Sequence, residues 1–126
     1  MPFSAPHAKT NTPVNLLKRK MLCRRLMMTN SDREHLVDLC RRYCVRRLEA
    51  FGSTLRPDFD PQKSDVDLLV EFEPLAPGKY ADTYFDLLEA LEQLFGRQVD
   101  LVVAAAIRNP YFRESVEREK ALLYAA

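Results

Sequence analysis

Residues that build disulfide frameworks or zinc sites are scarce in this 126-residue chain. Its three cysteines (Cys23, Cys40 and Cys44) form no Cys-x-x-Cys pair, and there are only two histidines. That argues against both a disulfide scaffold and a structural zinc, and it fits a reducing, cytoplasmic setting. No stretch approaches the ~18 apolar residues of a membrane span, so no membrane association is expected. The first thirty residues also lack the continuous apolar segment of a signal peptide. Glycine is nearly as rare, at three residues, so each one invites a reason. What remains is a chain with an ordinary hydrophobic fraction of 47% and room for one domain with one core.

Charge is unevenly spread. Residues 1–30 carry six basic residues and no acid, whereas the other 96 carry 13 bases and 18 acids. A basic head on a mildly acidic body can mark a nucleic-acid surface. Residues 1–13 are rich in Pro, Ser, Thr and Asn without periodicity, however, so residues 1–30 are expected to be a basic, partly disordered extension. Within them, residues 14–28 have the pattern of an amphipathic basic helix lying on the body. Direct nucleic-acid binding is not expected, and residues 31–126 are taken as the folded domain.

A capping-box pattern at Ser31 and Glu34 opens the first helix of that domain. Leu36, Val37, Cys40, Tyr43 and Cys44 then follow helical spacing, and both cysteines read as small core residues. Residues 45–51 form a short strand ending at Gly52, where a glycine permits a tight turn and close approach of backbone to a ligand. After a proline-containing loop, Val66, Leu68, Val70 and Phe72 alternate with Asp65, Asp67, Leu69 and Glu71, the pattern of a strand with one face in the core. Residues 80–95 form an amphipathic helix stopped by Gly96. Residues 98–103 form a third strand, Asn109-Pro110 opens a last helix reaching about Lys120, and residues 121–124 suit a short terminal strand. The fold class is α/β (α+β), a small mixed sheet with helices packed on it.

The chemistry concentrates at residues 51–72. Asp65 and Asp67 stand two apart at the head of a strand and point the same way. Like charges that close repel unless a proton or a metal ion sits between them. Paired hard oxygen ligands suit Mg²⁺ together with substrate phosphates. Asp100 is the only acid of the third strand and would face the same space if that strand lies beside residues 66–72. A helix beginning at Ser53 would turn its free N–H groups toward an anion.

Gly52-Ser53, the loop, Ser64-Asp65-Val66-Asp67-Leu68-Leu69-Val70 and the later Asp100 together resemble the nucleotidyltransferase superfamily with the DNA polymerase β-like fold. The nearest match is its minimal nucleotidyltransferase (MNT) group, the antitoxin half of HEPN/MNT toxin–antitoxin pairs, over roughly residues 31–124. The resemblance implies a palm-type fold in which Asp65, Asp67 and Asp100 bind Mg²⁺ and serve catalysis. It implies that Gly52 and Ser53, with Arg56, hold the triphosphate of ATP. A hydroxyl attacking the α-phosphorus would then acquire AMP. In the group resembled, that hydroxyl is a tyrosine of a partner HEPN-type ribonuclease, which is thereby silenced. Nothing after Asp100 has the size of an acceptor domain, so the acceptor is expected in trans. The Ser-to-Asp spacing is one residue longer than the group's usual one, and Arg56 is followed by Pro57 where the group often has glycine. Two other functions fit less of the pattern: an antitoxin that neutralises by binding alone, and a small-molecule nucleotidyltransferase of the aminoglycoside-modifying kind.

Overall fold

The computed structural model describes Leu26, residues 28–60 and residues 63–126. The expectations for residues 1–25, and for most of the basic helix at residues 14–28, lie outside them. The described chain runs α1 (Asn30–Arg42), β1 (Val45–Phe51), a 3₁₀ turn (Gly52–Leu55), β2 (Val66–Phe72), α2 (Tyr80–Phe95), β3 (Val99–Val103), a 3₁₀ turn (Ala104–Ala106), α3 (Pro110–Arg118) and β4 (Lys120–Ala125). One four-stranded sheet has the order β3-β2-β1-β4. β1 is antiparallel to both β2 and β4, while β2 and β3 run parallel, linked by α2. The terminal strand closes one edge of the sheet against β1.

Each face of the sheet is covered, and by different helices. The main core joins Leu36 and Cys40 of α1, Leu87 and Leu91 of α2, and Leu48, Ala50, Val66, Leu68, Val70, Val99 and Leu101 of the strands; Leu26 and Met28 pack against it. A smaller cluster on the other face joins Phe51, Leu69 and Ile107 to Val116 of α3. The alternation in β2 therefore places Val66, Leu68 and Val70 as expected. Leu69, assigned to the same side as Asp65 and Asp67, is buried as well, because α3 covers that half of the face.

Three local details differ from the sequence pattern. The first helix is capped by Thr29, not Ser31: the Thr29 hydroxyl accepts from the Asp32 N–H at 3.1 Å, and the Asp32 carboxylate accepts from the Thr29 N–H at 3.0 Å. An Asp at the third helical position closes the capping box as well as the Glu of the usual pattern. The last helix ends at Arg118 because Lys120 is already paired with Phe51 in the sheet. Cys44 is exposed rather than buried. It sits just past the helix with φ 58°, left-handed backbone that reverses the chain into β1, so it leaves the helical stripe that Cys40 follows. Burial pushes the Cys40 thiol up to about 12, and thiolate is the reactive form. In the native protein Cys44 should label rapidly with a thiol reagent at pH 8, while Cys40 should label only on denaturation; peptide mapping distinguishes them.

The outer edge of β3 is masked by side chains of α2. Tyr84 donates its hydroxyl to the Leu101 carbonyl at 2.6 Å, and the Glu92 carboxylate accepts from the Val99 N–H at 3.2 Å. Such contacts remove an open edge that could otherwise pair with another strand. Burial, and secondarily the charge of Asp100 and then Tyr80, raise the Tyr84 pKa above its ordinary value of 10.0. The folded state then keeps a proton that the unfolded chain would release. This contribution to stability is intact below pH 10 and is lost as pH rises through the folded value. Urea titrations should show stability falling above about pH 10. Tyr84→Phe should be less stable at neutral pH by about 1 kcal/mol and should lose less on alkalinisation.

Candidate active site

Parallel pairing of β2 and β3 brings the acidic residues together. Asp67 is in register with Asp100, so the two side chains project from neighbouring strands on one face of the sheet. Asp67 is half-buried and Asp100 exposed. Asp65 lies just before β2, whose first N–H, that of Val66, donates to the Gln98 carbonyl at 3.1 Å. Among the described residues none of the three carboxylates takes part in an ion pair. Negative charge is thus concentrated here, with no ion pair to a described residue.

The turn after β1 is built around Asp67. Gly52 has φ +59°, and a Cβ placed on it would stand 2.8 Å from Asp67 Oδ2, so both the backbone shape and the lack of a side chain are needed. Ser53 then donates twice to that same oxygen, from its N–H at 2.9 Å and from its Oγ at 2.5 Å. Thr54, fully buried, completes the clamp: its Oγ1 accepts from the Asp67 N–H at 2.7 Å and lies 3.4 Å from the Asp67 carbonyl oxygen, toward which it can donate. Three consecutive residues of the turn therefore set one aspartate: Gly52 makes room for its carboxylate, Ser53 bonds that carboxylate and Thr54 bonds its backbone. Ser53, expected to face the triphosphate, here directs both donors at Asp67. Thr54 was not among the residues singled out from the sequence; a second hydroxyl residue directly after Gly-Ser was the available signal.

The entry to Asp65 is also held. Ser64 returns its N–H to the Asp60 carbonyl at 2.8 Å, and Ser64 Oγ accepts from the Asp60 N–H at 3.1 Å. Arg97, just past α2, donates to the Asp60 and Ser64 carbonyls at 3.1 and 2.7 Å and lies over the Phe59 ring at 5.9 Å. Arg56 is exposed and has extended backbone, the conformation a following proline favours.

The donor set suits a hard divalent cation: two carboxylates in register, one of them pinned through a single oxygen by the turn. It is not gathered into a cage. Among the described residues no group of three His, Cys, Asp or Glu side chains stands close enough to hold a metal ion. Two protein carboxylates with the remaining positions filled by phosphate and water is a usual arrangement for Mg²⁺.

A model of the nucleotidyltransferase domain family matches residues 32–123. Two Methanocaldococcus jannaschii proteins named as putative protein adenylyltransferases are similar to the chain. One is 34% identical over 87 residues, and the other 39% over 87 residues; each alignment covers 69% of this chain and 85% of the relative. Among solved structures, a putative minimal nucleotidyltransferase superposes with a TM-score of 0.57 at 38% identity, covering 71% of this chain and 87% of that one. The MNT antitoxin structure solved with a tri-AMPylated Shewanella oneidensis HEPN toxin superposes with a TM-score of 0.53 at 18% identity, covering 79% and 74%. At that identity the likeness speaks to the fold. No described helix is long and apolar enough to cross a membrane.

Proposed function

We infer the reaction from one premise: this chain belongs to the nucleotidyltransferase domain family. Within that family we assign it the transfer of AMP from ATP to a tyrosine hydroxyl of a partner HEPN-type ribonuclease, which the modification silences. The observation that carries this reading is the in-register pair Asp67–Asp100 with the Gly52–Thr54 turn closed on Asp67. The names of similar proteins supply the transferred group and the partner: protein adenylyltransferases in one case, an AMPylated HEPN toxin in the other.

Asp67 and Asp100, with Asp65 just before β2, would hold Mg²⁺. Bound there, the ion would neutralise charge on the triphosphate and acidify the acceptor hydroxyl. The chain's own residues do the rest. The turn keeps the Asp67 carboxylate in one orientation, so no reorganisation is needed as charge develops. Arg56, exposed just past the turn, would meet a phosphate of the substrate. The acceptor oxygen forms a bond to the α-phosphorus, and the bond from that phosphorus to the β-bridging oxygen breaks. Pyrophosphate leaves with the electron pair, and the hydroxyl proton passes to the Asp100 carboxylate, the more exposed of the paired acids.

Because Asp65 is not drawn into a three-carboxylate group with the other two, neutralisation by binding alone is the competing function. One experiment separates them. A HEPN-type ribonuclease is incubated with the chain, ATP and Mg²⁺, and its intact mass and residual RNA cleavage are followed. The proposed function requires a mass gain in whole AMP units that accompanies loss of cleavage. Full neutralisation with no mass gain would leave binding as the mechanism.

A further inference from the structure

Large exposed apolar side chains are few among the described residues, and two of them are neighbours at the start of α3: Tyr111, 82% exposed, and Phe112, 40% exposed. Their position is what gives them interest. Phe112 meets Phe51 edge-on, with ring centroids 6.0 Å apart and planes at 76°. Phe51 is the residue after Ala50, which pairs with Leu68, so it lies across from Asp67 in the β1–β2 register. One face of the sheet therefore carries, from β3 across to β1, Asp100, Asp67 and then an aromatic ring extended outward by α3.

We propose that Tyr111 and Phe112 form a shelf for the purine ring of a nucleoside triphosphate whose phosphates lie over Asp67 and Asp100. The inference rests on the nucleotidyltransferase reading above and adds to it a base subsite. A nucleotide has an anionic end and a flat aromatic end, and this face offers acids suited to metal-bound phosphate beside an uncovered aromatic pair. The helix end itself has little to give a phosphate: the Tyr111 and Phe112 N–H groups both donate to Asn109 Oδ1, at 2.9 and 3.3 Å. The side chains are what the first turn presents. Pro110 occupies the first helical position, where its fixed φ suits the start of a helix.

The surroundings favour a small flat occupant over a protein. Arg108, Arg113 and Glu114 flank the pair in sequence; Arg113 is turned back to the Ile107 carbonyl at 2.5 Å, and Glu114 pairs with Arg118 at 2.9 Å. Two rings alone fall far short of the ~800 Å² per partner that a stable protein interface buries. A base needs only a ring face to stack on, and stacking tolerates different bases because every base has a π-face. The shelf should therefore discriminate strongly between a nucleotide and a bare polyphosphate, and weakly between ATP and GTP.

Calorimetric titration of the full chain with ATP and with inorganic tripolyphosphate, both in Mg²⁺, tests this. Tyr111 is the variant of choice, since its exposed side chain contributes little to folding. Tyr111→Ala should weaken ATP binding by about five- to hundredfold and leave tripolyphosphate binding unchanged, and Tyr111→Phe should restore ATP binding. Unchanged ATP affinity in Tyr111→Ala overturns the shelf; if AMP transfer to a protein acceptor falls at the same time, the pair belongs to the acceptor instead. Equal weakening of both probes also overturns it, because the loss is then not of base contact. If the wild-type chain binds neither probe, the nucleotidyltransferase reading falls together with the shelf.

Discussion

Asp67→Asn should lower AMP transfer on the order of a thousandfold and leave the fold in place. The substitution suits the purpose because of how Asp67 is held. Its Oδ2 accepts from the Ser53 N–H and Oγ, and an Asn side chain still offers one carbonyl oxygen to both donors. The backbone N–H of residue 67 still finds Thr54 Oγ1. What is lost is a negative charge beside Asp100, the charge a Mg²⁺-bound triphosphate would require. Circular dichroism and Tm should therefore match the wild type to within a few degrees while the transfer rate collapses. Wild-type transfer by this variant would remove Asp67 from the chemistry. A collapse of Tm would show that the charge is structural, contrary to the geometry.

Gly52→Ala should damage both stability and activity. A left-handed backbone at a residue with a Cβ costs about 1–2 kcal/mol. At this position the added carbon would also stand 2.8 Å from Asp67 Oδ2, closer than van der Waals contact permits. Either the turn or the carboxylate has to shift. The expected loss is about 2–3 kcal/mol, a fall in Tm of roughly 10 °C. Displacement of Asp67 should also reduce transfer at temperatures where the variant remains folded. Gly78 and Gly96 share the left-handed backbone, but an added Cβ there meets nothing within 4 Å. Gly96→Ala should therefore cost stability of the backbone kind alone, with transfer retained. Equal effects on transfer at positions 52 and 96 would contradict a specific role for the turn.

The strands and long helices could be read from the chain because each carries a strong periodic pattern: β1 spans residues 45–51 and α2 residues 80–95 as expected. The Asp67–Asp100 pairing was conditional on strand order, which periodicity does not specify. It follows from the parallel β2–β3 pairing that the α2 crossover makes possible. The misjudged details depend on tertiary contact or on a single backbone angle. Leu69 looked outward until α3 folded over it, Cys44 left its helical stripe at one left-handed residue, and Thr29 took the cap that Ser31 suggested. Ser53 shows the same limit at the site. Its presence in a Gly-Ser turn was informative, but its hydrogen bonds to Asp67 come from a residue fourteen positions later, and local pattern does not reveal such a contact.

Position-specific labelling tests most directly whether an AMP group leaves ATP and stays on protein through the site at Asp67 and Asp100. The chain, a HEPN-type ribonuclease and Mg²⁺ are incubated with ATP labelled either at the α- or at the γ-phosphate, and protein-bound label is measured. The expected result is stable label on the ribonuclease from α-labelled ATP, none from γ-labelled ATP, and none from either with Asp67→Asn. Label from the γ-phosphate, or α-label that persists in the Asp67 variant, would contradict it.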